Sequence, residues 1–473
     1  MAFSEDLFFA PAYKLAAMLR ARDVSSVEMV DAFVERIETV NRGLNAVVTL
    51  VEDRAAREAE ESDKRLSGKG GEVRPLEGLP ITIKDSIITE GVRSTWGMKH
   101  FEHHVAKHDA PTVARLRAAG AIVIGKTNTP EMTMDYDCDN PVFGQTNNPW
   151  NLERVPGGSS GGEAAALAAG MSPLGMGSDY RGSIRVPAHF CGIVGLKPTW
   201  GTIPGSGHMA PSIAAPPPIA HMATIGPMAR FVDDLTLAYN VVKGQHSSSP
   251  YTVPTPEAHP EKIDLKKVRC AIFTDACNVP VSSDTRAAIE RAGRELQKMG
   301  IVVEAVKPPI DDGERLWWAY QSADGGQLGA EALGEALKLS RERLRSVMVA
   351  GEGKSAAEFF KIAIERDAWR VRLAEFMEQY PIILGPTFCV TAFKHGATEV
   401  EIDGKKFPHF LAGWPVAWGN CAGLPGVVVP CGKDREGLTI GLQVNGRAFG
   451  EETVLAVAKA AETALGGYQR PPM

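Results

Sequence analysis

The sequence predicts an α/β protein: a single large domain over residues 1–473, with a mixed, mostly parallel central sheet covered by helices on both faces. Strand-like and helix-like segments alternate at two separate places along the chain, the pattern that builds βαβ units. The 473 residues are 44% apolar and 23% charged, enough apolar material for a core without staples. Neither a fixed-period repeat nor a long polar linker divides the chain.

The elements follow in order. Ser25-Ser26-Val27-Glu28 is a capping box, and Val30, Phe33, Val34 and Ile37 recur behind it at helical spacing, so residues 26–40 read as an amphipathic helix. Leu79 to Lys84 alternates apolar and polar residues and reads as a strand ending on a lysine. Val113–Ala119 reads as a helix stopped by Gly120, followed by the apolar strand Ala121–Gly125. The same order recurs as strand Val268–Phe273, helix Asp284–Met299, Gly300, and strand Ile301–Val303. Further buried strands are expected at Ile382–Leu384, Val427–Val429 and Leu438–Val444. Residues 313–380 read as a helical cover, and the proline-dense Pro211–Pro218 as a loop.

Charge and composition exclude several classes. With 51 Lys+Arg against 57 Asp+Glu the net charge is −6, without the cationic footprint of a nucleic-acid coat or a polybasic membrane anchor. The charge-free run Ala164–Ser178 is broken by Gly170, Pro173, Gly175 and Gly177, and is shorter than the ~20 apolar residues of a span. Gly201–Ala220 is also charge-free, but its Gly and Pro content reads as loop. Glu5 and Asp6 stand where a signal peptide carries positive charge, so the expected location is the cytoplasm. The cysteines at 138, 191, 270, 277, 389, 421 and 431 are odd in number and form no CxxC, which reads as buried thiols. His103, His104 and Glu131 lack metal-ligand spacing, so no metal is expected.

Chemistry concentrates in Pro156–Pro198. Two Ser-Gly clusters, Gly157-Gly158-Ser159-Ser160-Gly161-Gly162 and Gly177-Ser178-Asp179-Tyr180-Arg181-Gly182-Ser183, flank an alanine-rich helix expected over Glu163–Ala169. Glycine-dense loops let main-chain N–H groups close around one oxygen, as an oxyanion requires. A phosphate cradle fits poorly, because Gly161-Gly162-Glu163 has no P-loop lysine. A purely structural turn remains open for either cluster alone. A serine nucleophile needs a base, and Gly182-Ser183-Ile184 is no nucleophile elbow of the Gly-x-Ser-x-Gly kind. His189 is one candidate, although its place after Pro187 suits packing better. Lys84 is the other, provided burial keeps it neutral.

These motifs resemble the amidase signature family. Further matches are Gly125-Lys126-Thr127-Asn128, Asn147-Asn148-Pro149-Trp150, Gly226-Pro227-Met228-Ala229-Arg230 and Gly441-Leu442-Gln443, with the signature core over about 75–235. The resemblance implies a catalytic Ser183, a bridging Ser159 on a cis peptide bond, and Lys84 as terminal base. It also implies an oxyanion hole of the N–H groups of Tyr180, Arg181, Gly182 and Ser183, with Ser160, Ser178, Asp179 and Arg185 in support. Asp179 and Arg185 are expected to pair beneath the nucleophile loop. Arg181 stands where the family usually has glycine, and an arginine there cannot take a left-handed backbone cheaply. Lys126 reads equally as a charge-balancing group or a solvated lysine, and Cys191 as a buried filler.

The function expected is a free-standing amidase for small hydrophobic or aryl amides, with esters and carbamates as side substrates. The alternative is the glutaminase subunit of a tRNA-dependent amidotransferase. Trp200, Met209, Pro216–Pro218, Trp317 and Trp318 are candidates for an apolar pocket wall; each reads equally as core, and for the tryptophan pair core is the better reading. No cofactor is expected. The partners expected are a small-molecule amide and a second copy of the chain in a homodimer, without nucleic acid or membrane.

Overall fold

The computed structural model describes residues 4–210, 217–275, 279–348 and 352–473. Pro216, Cys277 and most of the proline-dense loop therefore lie outside the described residues. Thirteen strands occur among the described residues: β1 Val47–Leu50, β2 Pro80–Lys84, β3 Ile122–Thr127, β4 Leu174–Asp179, β5 Val194–Lys197, β6 Thr224–Ala229, β7 Arg269–Ile272, β8 Val302–Ala305, β9 Ile382–Pro386, β10 Glu399–Ile402, β11 Lys405–Pro408, β12 Gly426–Lys433 and β13 Thr439–Gly446. Eleven form one sheet in the order β1-β3-β2-β4-β6-β5-β12-β13-β9-β7-β8, while β10 and β11 pair separately.

The sheet is mixed, but its parallel share is smaller than the strand–helix alternation implies. Parallel pairing is confined to β3-β2-β4 and β9-β7-β8. The pairs β1–β3, β4–β6, β6–β5, β5–β12, β12–β13 and β13–β9 are antiparallel. The βαβ units thus sit towards the two ends, and the strands between them return antiparallel.

Both faces are covered, as β12 illustrates. Val427, Val429 and Cys431 join the main core with helix Glu451–Leu465, whereas Val428 points to the opposite side with helices Gly161–Ala168 and Arg185–Cys191. Such alternation is what a sheet with two buried faces imposes. The cover expected over 313–380 consists of helices Asp311–Gln321, Gln327–Leu333, Glu335–Lys338, Glu342–Met348 and Ala356–Gln379. At the other end of the chain, Ser25 and Glu28 make both bonds of the capping box for helix Ser26–Leu44.

The topology positions the site. β2 lies between β3 and β4 and runs parallel to both, with Ile83 opposite Met176. The carboxyl ends of β2 and β4 therefore meet at one sheet edge, where open α/β sheets commonly place ligands. Lys84 ends β2, and the second Ser-Gly cluster continues from β4.

Candidate active site

Lys84 has no solvent exposure, and its Nζ lies 2.6 Å from Ser159 Oγ, 3.0 Å from Ser178 Oγ and 3.1 Å from Ser160 Oγ. Burial pushes its pKa down from 10.5 to about 7, partly opposed by the nearby Asp179, Glu163 and Asp85 carboxylates. The Gly158–Ser159 peptide is cis. Ser160 directs its own N–H to the Ser183 carbonyl at 3.1 Å, which joins the two Ser-Gly clusters. Ser183 is partly exposed and lines, with Ser159, Ser178 and Asp179, a cavity of about 50 Å³.

The turn carrying Ser183 is built on Asp179. Its Oδ1 accepts the Gly182 N–H at 2.8 Å, and its Oδ2 accepts the Ile184 N–H at 3.2 Å. Arg185 pairs with it, Nε to Oδ2 at 3.0 Å, and both side chains are fully buried. Arg185 also donates to Gln443 Oε1 at 2.7 Å and Asn420 Oδ1 at 2.5 Å. Burial opposes ionisation of Asp179, but the Arg185 guanidinium, the Lys197 charge and a hydrogen bond from Asn420 Nδ2 at 2.9 Å hold its carboxyl well below the ordinary range.

Gly182 is removed from the expected oxyanion donors, because its N–H is already given to Asp179. Among the described residues, the N–H groups of Tyr180, Arg181 and Ser183 have no hydrogen-bond partner and remain free for a ligand oxygen. The arginine in place of glycine is also resolved. Gly182, at φ +91°, takes the left-handed conformation, and Arg181 is not among the non-glycine residues with positive φ.

Lys126 is not solvated. It is buried in β3, with Nζ at 2.6 Å from the Ile87 carbonyl and 3.0 Å from Ser94 Oγ. His189 has both ring nitrogens engaged: Nδ1 accepts the Gly441 N–H at 2.6 Å, leaving Nε2 to donate to the Val390 carbonyl at 3.1 Å. Burial pushes its pKa down to about 4. Cys191 is buried, with Sγ 3.3 Å from the Pro156 carbonyl, and the six described cysteines are all buried, with no disulfide among them. Among the described residues no cluster of His, Cys, Asp and Glu is placed to hold a metal, and no helix is long and apolar enough to cross a membrane.

Several residues at the site had no functional signal in the sequence. Glu163 is fully buried and accepts from Thr82 Oγ1 and, at 2.8 Å, from Thr127 Oγ1. Burial raises its pKa to about 7 against those hydrogen bonds and the charges of Lys84 and Lys126. Tyr136, Glu314 and Asn420 come from other regions of the chain. No local spacing relates them to Ser183; only Asn420 is marked out, as a lone polar residue in an apolar stretch.

Ser183 also opens on a cavity of about 890 Å³ lined by Met132, Met134, Met209, Ile219, Trp317 and Trp318, with Tyr180 and Arg181 beside the serine. Pro218 lines it too, while Trp200 lines a neighbouring cavity that shares Met209 and Ile219.

A family model described as amidase matches residues 28–455. A glutamyl-tRNA(Gln) amidotransferase subunit from Thermosynechococcus vestitus is 34% identical, covering 97% of this chain and 98% of its own. The solved 6-aminohexanoate cyclic dimer hydrolase with substrate superposes with a TM-score of 0.85 at 26% identity, covering 98% of this chain and 99% of that one. The solved glutamyl-tRNA(Gln) amidotransferase subunit from Thermotoga maritima gives 0.77 at 27% identity, with 99% of each chain covered. The amidotransferase relatives correct the expectation that nucleic acid has no place among the partners: proteins similar over nearly their whole length are named for a tRNA. A net charge of −6 speaks against a nucleic-acid coat, but one member of a complex need not itself carry the cationic surface that meets RNA.

Proposed function

Because the chain belongs to the amidase family, we propose that it hydrolyses carboxylic amides with Ser183 as nucleophile, Ser159 as bridging serine and Lys84 as terminal base. The observation that carries this reading is the buried Lys84 amine, 2.6 Å from Ser159 in the cavity that Ser159 shares with Ser183. Ser183 Oγ attacks the amide carbonyl carbon while its proton passes to Ser159, whose own proton goes to neutral Lys84. The tetrahedral oxyanion takes hydrogen bonds from the free loop N–H groups. The lysine proton returns through Ser159 to the leaving nitrogen, the C–N bond breaks, and an acyl-enzyme remains. Water attacks that ester by the reverse relay and releases the acid.

The substrate this reading favours is a small hydrophobic or aryl amide, including linear ones. The methionine, isoleucine and tryptophan lining of the larger cavity supports it, since apolar walls reward apolar acyl or aryl groups. Esters and carbamates become side substrates because alkoxide-type leaving groups depart more readily than amines.

A second reading is the glutaminase subunit of a tRNA-dependent amidotransferase, in which the same relay releases ammonia from glutamine for a partner protein. The curated relatives favour it more strongly than the first reading, at 34% identity across almost the full length. The apolar lining favours the first. Purified chain offered anilides, aliphatic amides and glutamine, with and without tRNA and partner proteins, separates them. Anilide turnover by the chain alone supports the first; glutamine turnover that requires the partners establishes the second.

A further inference from the structure

We propose that Arg181 is a positioning residue for the oxyanion loop: its side chain, tied to Glu314, holds Trp317, which orients the free Arg181 N–H, and Tyr136, which fixes the Arg181–Gly182 peptide plane leading to the free Ser183 N–H. The inference rests on the reading of Ser183 as nucleophile.

Hydrogen bonds fix three successive peptide planes of the loop. A peptide unit is planar, so fixing its carbonyl fixes the N–H of the next residue. The Tyr180 carbonyl accepts Trp317 Nε1–H at 3.2 Å, which orients the Arg181 N–H. The Arg181 carbonyl accepts the Tyr136 hydroxyl at 3.0 Å, while Asp179 holds the other edge of that plane through the Gly182 N–H. The Gly182 carbonyl accepts the Val186 N–H at 2.6 Å, which orients the Ser183 N–H.

The Arg181 side chain holds the groups that make the first two of these bonds. Its guanidinium donates to the Tyr136 hydroxyl at 2.8 Å, so one hydroxyl is bonded to both the side chain and the main chain of Arg181. It also donates to Glu314 Oε1 at 2.5 Å, and that oxygen accepts Trp318 Nε1–H at 2.9 Å. The guanidinium carbon lies 5.3 Å and 5.1 Å over the Trp317 and Trp318 rings. Glycine at this position would leave the buried Tyr136 and the half-buried Glu314 without the cation that orders them. Glu314 balances the charge of Arg181, so its contribution to the loop is chiefly geometric. A lysine keeps the charge but lacks the planar fork that reaches both partners.

The test measures two rates: labelling of Ser183 by a fluorophosphonate, and turnover of an anilide that the wild type hydrolyses. Arg181→Met is expected to slow labelling and lower kcat by about tenfold or more, with KM changed by less than about threefold, since oxyanion alignment acts on the transition state. Tyr136→Phe and Glu314→Gln move both rates in the same direction, and Arg181→Lys falls between wild type and Arg181→Met. Wild-type rates with only a lowered melting temperature overturn the proposal, as does an effect confined to KM. Should Arg181→Met fail to fold, Tyr136→Phe decides by the same criteria. A wild type that is not labelled at Ser183 removes the nucleophile reading itself, and this inference with it.

Discussion

Asp179 and Arg185 form an ion pair at 3.0 Å with neither side chain exposed. The aspartate also organises the turn around Ser183, so fold and site depend on the same carboxylate. Asp179→Ala leaves the Arg185 charge buried without its partner and is expected to cost about 3–5 kcal/mol, read from the denaturant midpoint. The carboxyl is held below its ordinary value, so the stabilisation is present above the unfolded-state pKa and lost as pH falls through the folded one. A variant with an unchanged midpoint speaks against this account.

Ser183→Ala is expected to abolish acyl-enzyme formation and phosphonate labelling while leaving the melting curve near that of the wild type. Peptide mapping of the labelled wild type should find the adduct on Ser183. An adduct on Ser160 or Cys191 refutes the assignment.

In the proposed relay Lys84 accepts a proton only when neutral, and burial brings its pKa to about 7. Activity should therefore rise with pH through about 7 and level off above it, measured as kcat/KM across a buffer series. Lys84→Arg should be nearly as damaging as Lys84→Ala, because guanidinium stays protonated at any usable pH. A near-normal rate and profile in the arginine variant shows that the lysine is only an electrostatic support. His189 could not readily replace it, since both its ring nitrogens are engaged.

Glu163 lies close enough to Lys84 for its charge to favour the ammonium. Removing that charge makes the lysine easier to deprotonate. Glu163→Gln should therefore move the rising limb of the pH profile to lower pH, provided the variant melts cooperatively. A shift to higher pH, or none, argues that Glu163 serves packing alone.

The sequence alone was enough to place the lysine at the end of β2 and both Ser-Gly clusters. Those signals are local: alternation before Lys84, glycine density around Ser159 and Ser183, and an alanine-rich helix between them. The N-terminal capping box and the apolar β9 and β12 were legible for the same reason. Their side chains and spacing carry the information themselves.

Tertiary structure decided the rest. β4, Leu174-Gly175-Met176-Gly177-Ser178-Asp179, has too much glycine to read as a strand. Its glycines clear space for side chains from elsewhere: a methyl added at Gly175 overlaps Glu163 Oε1, and one at Gly177 meets Ser160 Oγ at 2.8 Å. The antiparallel pairings between the two parallel groups follow from strand order across the whole chain, which no window of sequence contains. The fate of the Gly182 N–H and the partners of Arg181 were settled in the same way. Asp179 is near in sequence, but Tyr136, Glu314 and Asn420 are 45, 133 and 241 residues from the turn residues they touch. Hydrogen bonds across such separations leave no periodicity to read; they exist only once the chain has packed.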